Sequence, residues 1–457
     1  MQENREQWNS KIGFILAAAG SAIGLGNIWK FPYITGQNGG ASFIIVYLIC
    51  IAIIGLPVLI AEILLGRTTH RNPVGAFKAL SKSKFWIGVG GMGVVSGFLI
   101  LSFYAVIAGW AIGYILEAII GNFSQFNTGL LAANHFNSLV TNVSWIVGYF
   151  TVFMLMTMFF VYLGIQKGIE LGSKIMMPIL FILLIILMVR GITLEGSEAG
   201  ISFLLNPDWS KINAQSILVA LGHAFFTLSL GMGAMLTYGS YMSKDDNIPL
   251  ASFQIIILDT VVALIAGVAI FTSVFAVGLD PSAGPGLVFH TIPATFAKMP
   301  GGYFFSILFF ILLTIAALTS AISLLEVVVA YFVDELGWNR KKAVIILGFV
   351  VFLLGLPSAL SFNLLADYKI WGKNFFDLVD FLASNILLPT GGLLISIFVG
   401  YVWGFDKVLL NLKSGAENLF EKHPKIILTW KFFLKYLSPV LIFVVLLQSL
   451  GILELIF

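Results

Sequence analysis

The sequence predicts an all-α polytopic membrane protein with two inverted five-helix repeats, in which helices 1 and 6 are discontinuous, followed by an eleventh helix. Hydrophobic residues make up 59% of the 457 residues and charged residues only 10%, whereas a soluble domain carries roughly 25% charged residues. Long stretches lack Asp, Glu, Lys and Arg altogether: 31–61, 118–166, 212–243, 260–279, 299–325, 343–366 and 381–405. Each can hold an apolar helix of about 20 residues that crosses a bilayer.

The apolar segments divide into eleven spans, whose order sets the architecture. They lie at about 11–36, 41–68, 86–121, 144–163, 168–190, 214–242, 250–278, 303–336, 341–360, 375–403 and 432–456. Residues 1–457 then form one transmembrane domain, with repeat 1 over 11–190, repeat 2 over 214–403 and helix 11 within 425–457. Between spans seven and eight, PSAGPGLVFHTIPATFAKMPGG is too rich in Pro and Gly to cross. We expect a re-entrant or capping loop with a short helix there.

Lys and Arg are distributed unequally between alternate loops. If the N-terminus is inside, nineteen of them lie in inner segments, five in outer segments, and Lys30 lies within span one. Because cytoplasmic loops are enriched in Lys and Arg, we expect a plasma (inner) membrane protein with a cytoplasmic N-terminus. The odd number of spans then places the C-terminus outside. The single Cys50 excludes an intramolecular disulfide, and the scattered basic residues do not indicate a nucleic-acid partner.

Span one contains residues that weaken a helix in lipid. In AAAGSAIGLGNIWKFPY (17–33), Gly20, Gly24 and Gly26 fall within seven residues, and Lys30 follows. Broken backbone at membrane depth is tolerated only where it is buried in protein or lines a cavity. We therefore predict that span one is interrupted at a binding site. The alternative is that the glycines only permit close helix packing. A dinucleotide-binding loop is excluded because no strand precedes the glycines.

Span six has the same character and opens the second half of the chain. Gly231 and Gly233 lie in its middle, beside Thr227 and Ser229. Spans one and six are five apart, so the second set of five must enter the membrane from the opposite side. Paired broken helices in two inverted halves are typical of secondary transporters, with the substrate bound at the repeat interface.

Several segments resemble the neurotransmitter:sodium symporter family, and they occur in the family's order. They are GSAIGLGNIWKFPY, NGGASF, Glu62 with Gly66-Arg67, FFTLSLGMG, LTSAIS and VDELG. The resemblance runs from about residue 5 to residue 401. Members usually have twelve spans, and this chain is similar to the bacterial amino-acid transporters that have eleven.

The resemblance implies the substrate site. Backbone N–H groups that begin a half-helix near Leu25 and Gly26 would hold a carboxylate, together with the Tyr104 hydroxyl. Carbonyls at both breaks and the Ser229 hydroxyl would hold the ammonium. Many relatives have Phe at position 232, and the adaptable Met232 here is expected to admit larger side chains. The implied set is Ala22, Gly24, Leu25, Gly26, Ile100, Tyr104, Phe226, Thr227, Ser229, Met232, Ser320 and Leu324.

Two sodium sites are also implied, because a hard cation prefers oxygen ligands. The first comprises Ala22, Asn27, Thr227 and Asp259, and the second comprises Gly20, Ile23, Ala316, Thr319 and Ser320. From the residues alone, the Thr319 and Ser320 hydroxyls could simply bond to carbonyls of their own helix.

Asp259 departs from the pattern of many members, which carry Asn there. A carboxylate deep in a span indicates function. Chloride-independent members carry a carboxylate four residues further on, where this chain has Ala263. We expect Asp259 to take that role and transport to be independent of chloride. The alternative is a protonated, hydrogen-bonded Asp259. Two further buried acids, Glu62 and Glu326, are expected to satisfy backbone groups of the broken helices.

The resemblance also implies gates and a flexible helix. On the outer side, Lys30 would face Asp380, with Phe226 and Tyr104 closing over the substrate. Lysine cannot make the planar two-point contact of the arginine found in most relatives. Gly168 and Pro178 weaken span five and would let its inner half unwind, although an ordinary proline kink is the alternative. The implied inner gate consists of Arg5, Asp334, Trp8 and Tyr241; in each gate the alternative for the charges is solvation at a helix end.

These features predict a sodium-coupled symporter of neutral, hydrophobic L-amino acids, aromatic ones included, that works by alternating access. Two sodium ions are the expected co-transported ligands, and the expected assembly is a monomer or weak dimer in the bilayer. A proton-coupled transporter on the same fold and a non-transporting amino-acid sensor remain the alternatives. A channel is disfavoured because no filter sequence is present. An enzyme is disfavoured because no nucleophile–base pair appears within the spans.

Overall fold

The computed structural model describes residues 6–126, 128–279 and 287–452, and the described part is helical apart from an isolated bridge between Ile370 and Lys373. By length and apolar character, nine of its helices can cross a membrane. They are α2 (Ala41–Thr69), α3 (Lys84–Ile119), α4 (Val143–Tyr162), α5 (Ile165–Ile192), α7 (Ile248–Ala276), α8 (Gly302–Leu336), α9 (Arg340–Leu360), α10 (Phe375–Val402) and α11 (Lys425–Ser449).

Helix α1 is broken, as predicted. Its halves, Lys11–Ala22 and Gly26–Gln37, are bent by 47° relative to each other. The first half begins where the Ser10 hydroxyl accepts the Gly13 N–H at 3.0 Å, which satisfies one of the free donors of a helix start. It ends because Ile23 is extended, with φ −73° and ψ 102°.

Helix α6 is also broken, again as predicted. Its halves are Ala214–Thr227 and Ala234–Gly239. Between them, Ser229 has φ 53° and Gly231 has φ 82°, a left-handed conformation that glycine adopts without steric cost. Gly231 also lies against α10, because a Cβ there would meet the Leu388 carbonyl oxygen. Each half is too short to cross a membrane alone, so α6 crosses only as a broken pair.

The predicted and observed spans agree closely, with differences at the ends and in the loops. Helix α11 begins at Lys425 rather than at residue 432. The expected short helix between α7 and α8 is present at Thr291–Lys298, whereas residues 280–286 of that loop lie outside the described part. The spans also leave out several short connecting helices: Pro73–Leu80, Gly129–Val140, Glu198–Leu205, Phe405–Lys413 and Glu417–Lys422.

The broken helices lie at the centre of the bundle. Helices α3 and α8 pack along each other and are mostly buried, and both breaks are buried beside them. Glu62 of α2 is fully buried, and its Oε1 accepts the Gly231 N–H at 2.6 Å. The expected role of Glu62 is thus confirmed for this group, since the carboxylate satisfies a backbone donor that the break leaves without a helical partner.

Replacing Gly231 with alanine is expected to lower the melting temperature of the detergent-purified protein. The added Cβ would meet the Leu388 carbonyl oxygen, and a left-handed residue other than glycine costs about 1–3 kcal/mol. Gly222→Ala, in the first half of α6, is the matched control, because a Cβ there meets nothing within 4 Å. Equal melting temperatures for the two variants would contradict the role of Gly231.

Candidate functional site

The two helix breaks face each other and are joined by hydrogen bonds. The Ser229 hydroxyl of the α6 break donates to the Ser21 carbonyl oxygen at 2.9 Å. The Ser320 hydroxyl of α8 donates to the same carbonyl at 3.1 Å. On the other side, the Leu25 N–H donates to the Tyr104 hydroxyl of α3 at 3.2 Å. The backbone groups freed by both breaks thus converge between α3 and α8.

A cavity lies at this junction. All but one of the predicted substrate residues line it; Thr227 does not. The lining also includes two residues that the sequence did not indicate, Ser21 and Leu388. Ser21 follows the predicted Gly20, whereas nothing in the sequence distinguishes Leu388 from other leucines of α10. The full lining is Ser21, Ala22, Gly24, Leu25, Gly26, Ile100, Tyr104, Phe226, Ser229, Met232, Ser320, Leu324 and Leu388.

The cavity has a polar end and an apolar remainder. At the polar end, a Cβ on Gly24 would meet the Ser320 hydroxyl and lie 2.9 Å from the Tyr104 hydroxyl. Only glycine lets the backbone approach these two hydroxyls so closely. The second half of α1 begins here at Gly26, and a helix N-terminus favours an anion. The remaining wall is mainly aliphatic and aromatic, and no charged side chain lines the cavity in the described part of the chain.

Asp259 of α7 lies beside the α1 break and is fully buried. Its Oδ1 accepts the Asn27 side-chain N–H at 2.8 Å and the Thr227 hydroxyl at 3.1 Å. Its Oδ2 has no hydrogen-bond partner among the described residues. A buried carboxylate oxygen without a donor is costly, and a cation would compensate it. Thr227 and Asp259 therefore offer oxygen ligands that fit a sodium ion, while Ala22 lines the adjoining cavity.

One detail of this cluster differs from the expectation. The Asn27 amide oxygen, expected to face sodium, accepts the Gly24 N–H at 3.1 Å instead. The amide nitrogen donates to the Asp259 carboxylate and also to the Asp259 carbonyl at 3.0 Å. The Asp259 carboxyl oxygens accept hydrogen bonds, so the N–H side of the amide lies towards them.

The residues predicted for the second sodium site also converge. The Thr319 hydroxyl lies 3.5 Å from the Ile23 carbonyl oxygen and 3.0 Å from that of Ala316. The Ser320 hydroxyl lies 3.4 Å from the carbonyl oxygens of Gly20, Ile23 and Ala316. The hydroxyls thus reach both their own helix and the α1 break, and together these groups form an all-oxygen cluster suited to a hard cation.

Phe226 separates the cavity from a larger vestibule of about 1210 Å³, because it lines both. Lys30 and Asp380 interact electrostatically, as expected of facing charges, but no ion pair within 4.0 Å joins them among the described residues. The Lys30 ammonium instead lies over the Phe226 ring, 4.3 Å from its centroid. Asp380 accepts the Ser384 hydroxyl one turn away at 2.7 Å. The aromatic ring and the neighbouring serine hydroxyl provide nearer partners than the opposite charge.

On the other side of the breaks, Trp8 closes the bundle. Its ring N–H donates to the Tyr238 carbonyl oxygen at 2.9 Å, and its backbone N–H donates to that of Tyr241 at 3.1 Å. Asp334 accepts the Asn72 backbone N–H at 3.1 Å. Arg5, the predicted partner of Asp334, lies outside the described residues.

The structure corrects the expectation that Glu326 satisfies backbone groups. Glu326 contacts Tyr241, whose carbonyl oxygen accepts the Trp8 N–H. Its carboxylate accepts both terminal nitrogens of Arg340 and, at 2.6 Å, the Tyr241 hydroxyl. Sequence reasoning counted Arg340 only as an inner-loop charge. Glu326 and Arg340 are 14 residues apart in sequence and sit on consecutive helices, so a spacing rule within one helix could not identify this pair.

Helix α5 is wound throughout, with Gly168 in a wide turn at Ile165–Glu170 and Pro178 inside Leu171–Ile192. A Cβ on Gly168 would meet the Phe160 carbonyl oxygen. Gly168 thus permits close packing of α5 against α4, and unwinding of this segment stays a prediction.

Comparison with known proteins identifies the family. The sequence profile of the sodium:neurotransmitter symporter family matches residues 5–127 and 124–454. The chain is 42% identical to the sodium-dependent transporter YhdH of Bacillus subtilis (strain 168), over 98% of each chain. It is 36% identical to a sodium-dependent transporter of Haemophilus influenzae, over 98% of this chain and 99% of the relative.

A solved structure confirms the predicted fold class. The crystal structure of MhsT in complex with L-phenylalanine has a TM-score of 0.89 and 46% sequence identity to this chain. The similarity covers 98% of this chain and 100% of MhsT. The chain is therefore a multi-pass membrane protein and belongs to the sodium:neurotransmitter symporter family, whose members are sodium-dependent transporters and not enzymes.

Proposed function

We propose that this chain is a sodium-coupled symporter that carries neutral, hydrophobic L-amino acids, aromatic ones included, into the cell. The observation that carries this proposal is the cavity between the two helix breaks. It combines a helix N-terminus and two hydroxyls at one end with an apolar wall elsewhere. An amino acid with a charged side chain would leave that charge unpaired against the apolar wall.

The apolar wall of the cavity favours substrates with large side chains. Ile100, Phe226, Met232 and Leu324 contribute to it, and methionine fills irregular space because it is unbranched. MhsT, which is similar over almost the whole chain, was crystallised with L-phenylalanine. The apolar wall and the ligand of this neighbour both favour aromatic and large aliphatic substrates.

Sodium coupling has a structural basis in a shared residue. Ser320 lines the substrate cavity and also belongs to the second proposed sodium cluster. The α1 break contributes to that cluster and to the cavity, and Asn27 directly after it contacts Asp259. An ion that orders the break therefore prepares the substrate site, and linkage requires the substrate to favour sodium by the same factor. We propose two sodium ions, one in each cluster.

Asp259 supports independence from chloride. Its buried carboxylate supplies a fixed negative charge next to the first proposed sodium ion, so a separate anion is not needed there. Family membership favours sodium over the proton-coupled alternative. A non-transporting sensor is distinguished by measuring uptake.

The remaining features follow from the distribution of charge and the order of helices. We propose a cytoplasmic N-terminus, an extracytoplasmic C-terminus and a monomer or weak dimer in the plasma (inner) membrane. We also propose the repeat boundaries 11–190 and 214–403, with helix 11 within 425–457. The vestibule lined by Lys30 and Phe226 is then the outer entrance, and Trp8 lies on the cytoplasmic side.

Large neutral amino acids are expected to raise the melting temperature in sodium chloride and not in choline chloride. A thermal-shift screen of the twenty amino acids measures this. Leucine, phenylalanine, tyrosine and tryptophan should stabilise, because the apolar wall covers their side chains, whereas glutamate and lysine should not. Stabilisation by glycine or GABA alone would contradict the proposed substrate class. Sodium-driven uptake of a stabilising amino acid into proteoliposomes then distinguishes transport from sensing.

Asp259→Asn is expected to raise the sodium concentration for half-maximal substrate binding at least about tenfold, equivalent to 1.4 kcal/mol. The reason is that it removes the buried charge that faces the ion. Ser252→Ala is the matched control on α7, because Ser252 is also fully buried and its hydroxyl has no partner among the described residues. Wild type should respond equally to sodium chloride and sodium gluconate. Loss of wild-type activity in gluconate would overturn chloride independence.

Removal of sodium is expected to speed amide exchange across 168–178, because Pro178 lacks an N–H and Gly168 weakens the preceding turn. We propose that this unwinding opens a water path to the second sodium cluster. Hydrogen–deuterium exchange with and without sodium measures it, and residues 180–190 of the same helix serve as the control. Equally slow exchange across 168–178 in both conditions would exclude unwinding.

A further inference from the structure

Helix α10 contributes to the cavity through a single residue that the sequence did not indicate. Leu388 lines the cavity and is 1% exposed. The other lining residues belong to α1, α3, α6 and α8. Leu388 is therefore the place where a fifth helix meets the proposed substrate.

The same part of α10 faces the vestibule as well. Ser384, Asn385 and Pro389 line the vestibule, whereas Leu388 lines the cavity. Among the described residues, Phe226 alone is common to the linings of both spaces. Within two turns, helix α10 thus contributes side chains to both the vestibule and the cavity, which Phe226 separates.

Local backbone geometry sets the position of Leu388. A wide π-helical turn covers Phe381–Leu387, and regular helix resumes at Leu388 with Pro389 next. Such turns are rare and occur frequently at functional sites. An extra residue in a turn changes which side chains face the cavity, and Pro389 cannot donate the hydrogen bond that would tie it to the preceding turn.

Beyond Leu388, α10 is held against α6 by close backbone contacts. A Cβ on Gly231 would meet the Leu388 carbonyl oxygen, and one on Gly391 would meet the Gly231 carbonyl oxygen. A Cβ on Gly392 would meet the Phe225 ring. The backbone of Leu388 therefore cannot move away from the cavity when a large ligand binds. The ligand has to fit against the Leu388 side chain.

We infer that Leu388 determines the size of side chain that the transporter accepts. The inference rests on the proposed function, since it concerns the same cavity. The isobutyl group of Leu388 limits the space available to the substrate side chain. Because α10 is fixed against the α6 break at this point, removing or enlarging that group changes the space without an offsetting backbone movement.

The test is a comparison of dissociation constants for leucine, phenylalanine and tryptophan in sodium chloride, measured on the full-length purified protein. Leu388→Ala should lower the dissociation constant of tryptophan relative to that of leucine by at least about tenfold. This is the effect expected for methylene-sized changes in an apolar pocket. Leu388→Phe should shift the ratio in the opposite direction by a similar factor. Opposite shifts are not expected from a merely structural role.

Leu387→Ala is the matched control, because Leu387 is the adjacent leucine on α10 and lines neither space. It should leave the tryptophan-to-leucine ratio as in wild type. Leu388→Met, which nearly conserves volume, provides a folded comparison if the alanine variant does not fold, and it should also keep the wild-type ratio.

Each outcome bears on a different proposal. If wild type binds these amino acids and both Leu388→Ala and Leu388→Phe keep the wild-type ratio, the role of Leu388 is overturned and the proposed function stands. If wild type binds none of them in sodium, the proposed function itself fails. Opposite shifts at Leu388 with no shift at Leu387 support the inference.

Discussion

The structure depends on one constraint: backbone groups at membrane depth must find partners within the protein. Helices α1 and α6 leave such groups free at their breaks, and the fold surrounds them. Glu62 accepts the Gly231 N–H, the Tyr104 hydroxyl accepts the Leu25 N–H, and serine hydroxyls occupy the Ser21 carbonyl. Three of the helices that supply these partners, α3, α6 and α8, also line the cavity. Stabilising the breaks and building the cavity are therefore the same structural requirement.

The breaks also explain how ions and substrate can influence each other. The three-residue interruption of α1 contributes to the cavity and to the second oxygen cluster, Asn27 just after it contacts Asp259, and Ser320 belongs to the second cluster and to the cavity. No long pathway is needed for coupling, because the proposed ligands share the same few backbone groups. Asp259 lies at one end of this arrangement, and among the described residues no donor reaches its Oδ2, which is the observation that favours a cation on the α7 side.

The two sides of the cavity differ in the kind of interaction that closes them. On the vestibule side, one aromatic ring, Phe226, covers the cavity with the Lys30 ammonium above it. On the other side, Trp8 donates hydrogen bonds to two backbone carbonyls. The Glu326–Arg340 pair contacts Tyr241, which provides one of these carbonyls. The first closure needs one side chain to move, whereas the second requires several hydrogen bonds to break together. The vestibule side of the cavity is thus closed by one aromatic side chain, whereas the opposite side is closed by several hydrogen bonds.

The sequence by itself determined the helical class, the order of the spans and the position of both breaks. These features depend on local composition: charge-free stretches predict spans, and glycines such as Gly231 beside polar residues predict interrupted helices. With the family resemblance, it also indicated nearly the whole cavity lining. Only the tertiary structure decided the contribution of Leu388, the Glu326–Arg340 pair, the hydrogen bonds of Asn27 and the position of the Lys30 ammonium over the Phe226 ring. Each of these depends on which faces of different helices meet and on which of several nearby partners a side chain contacts. No local pattern in a single sequence determines those contacts.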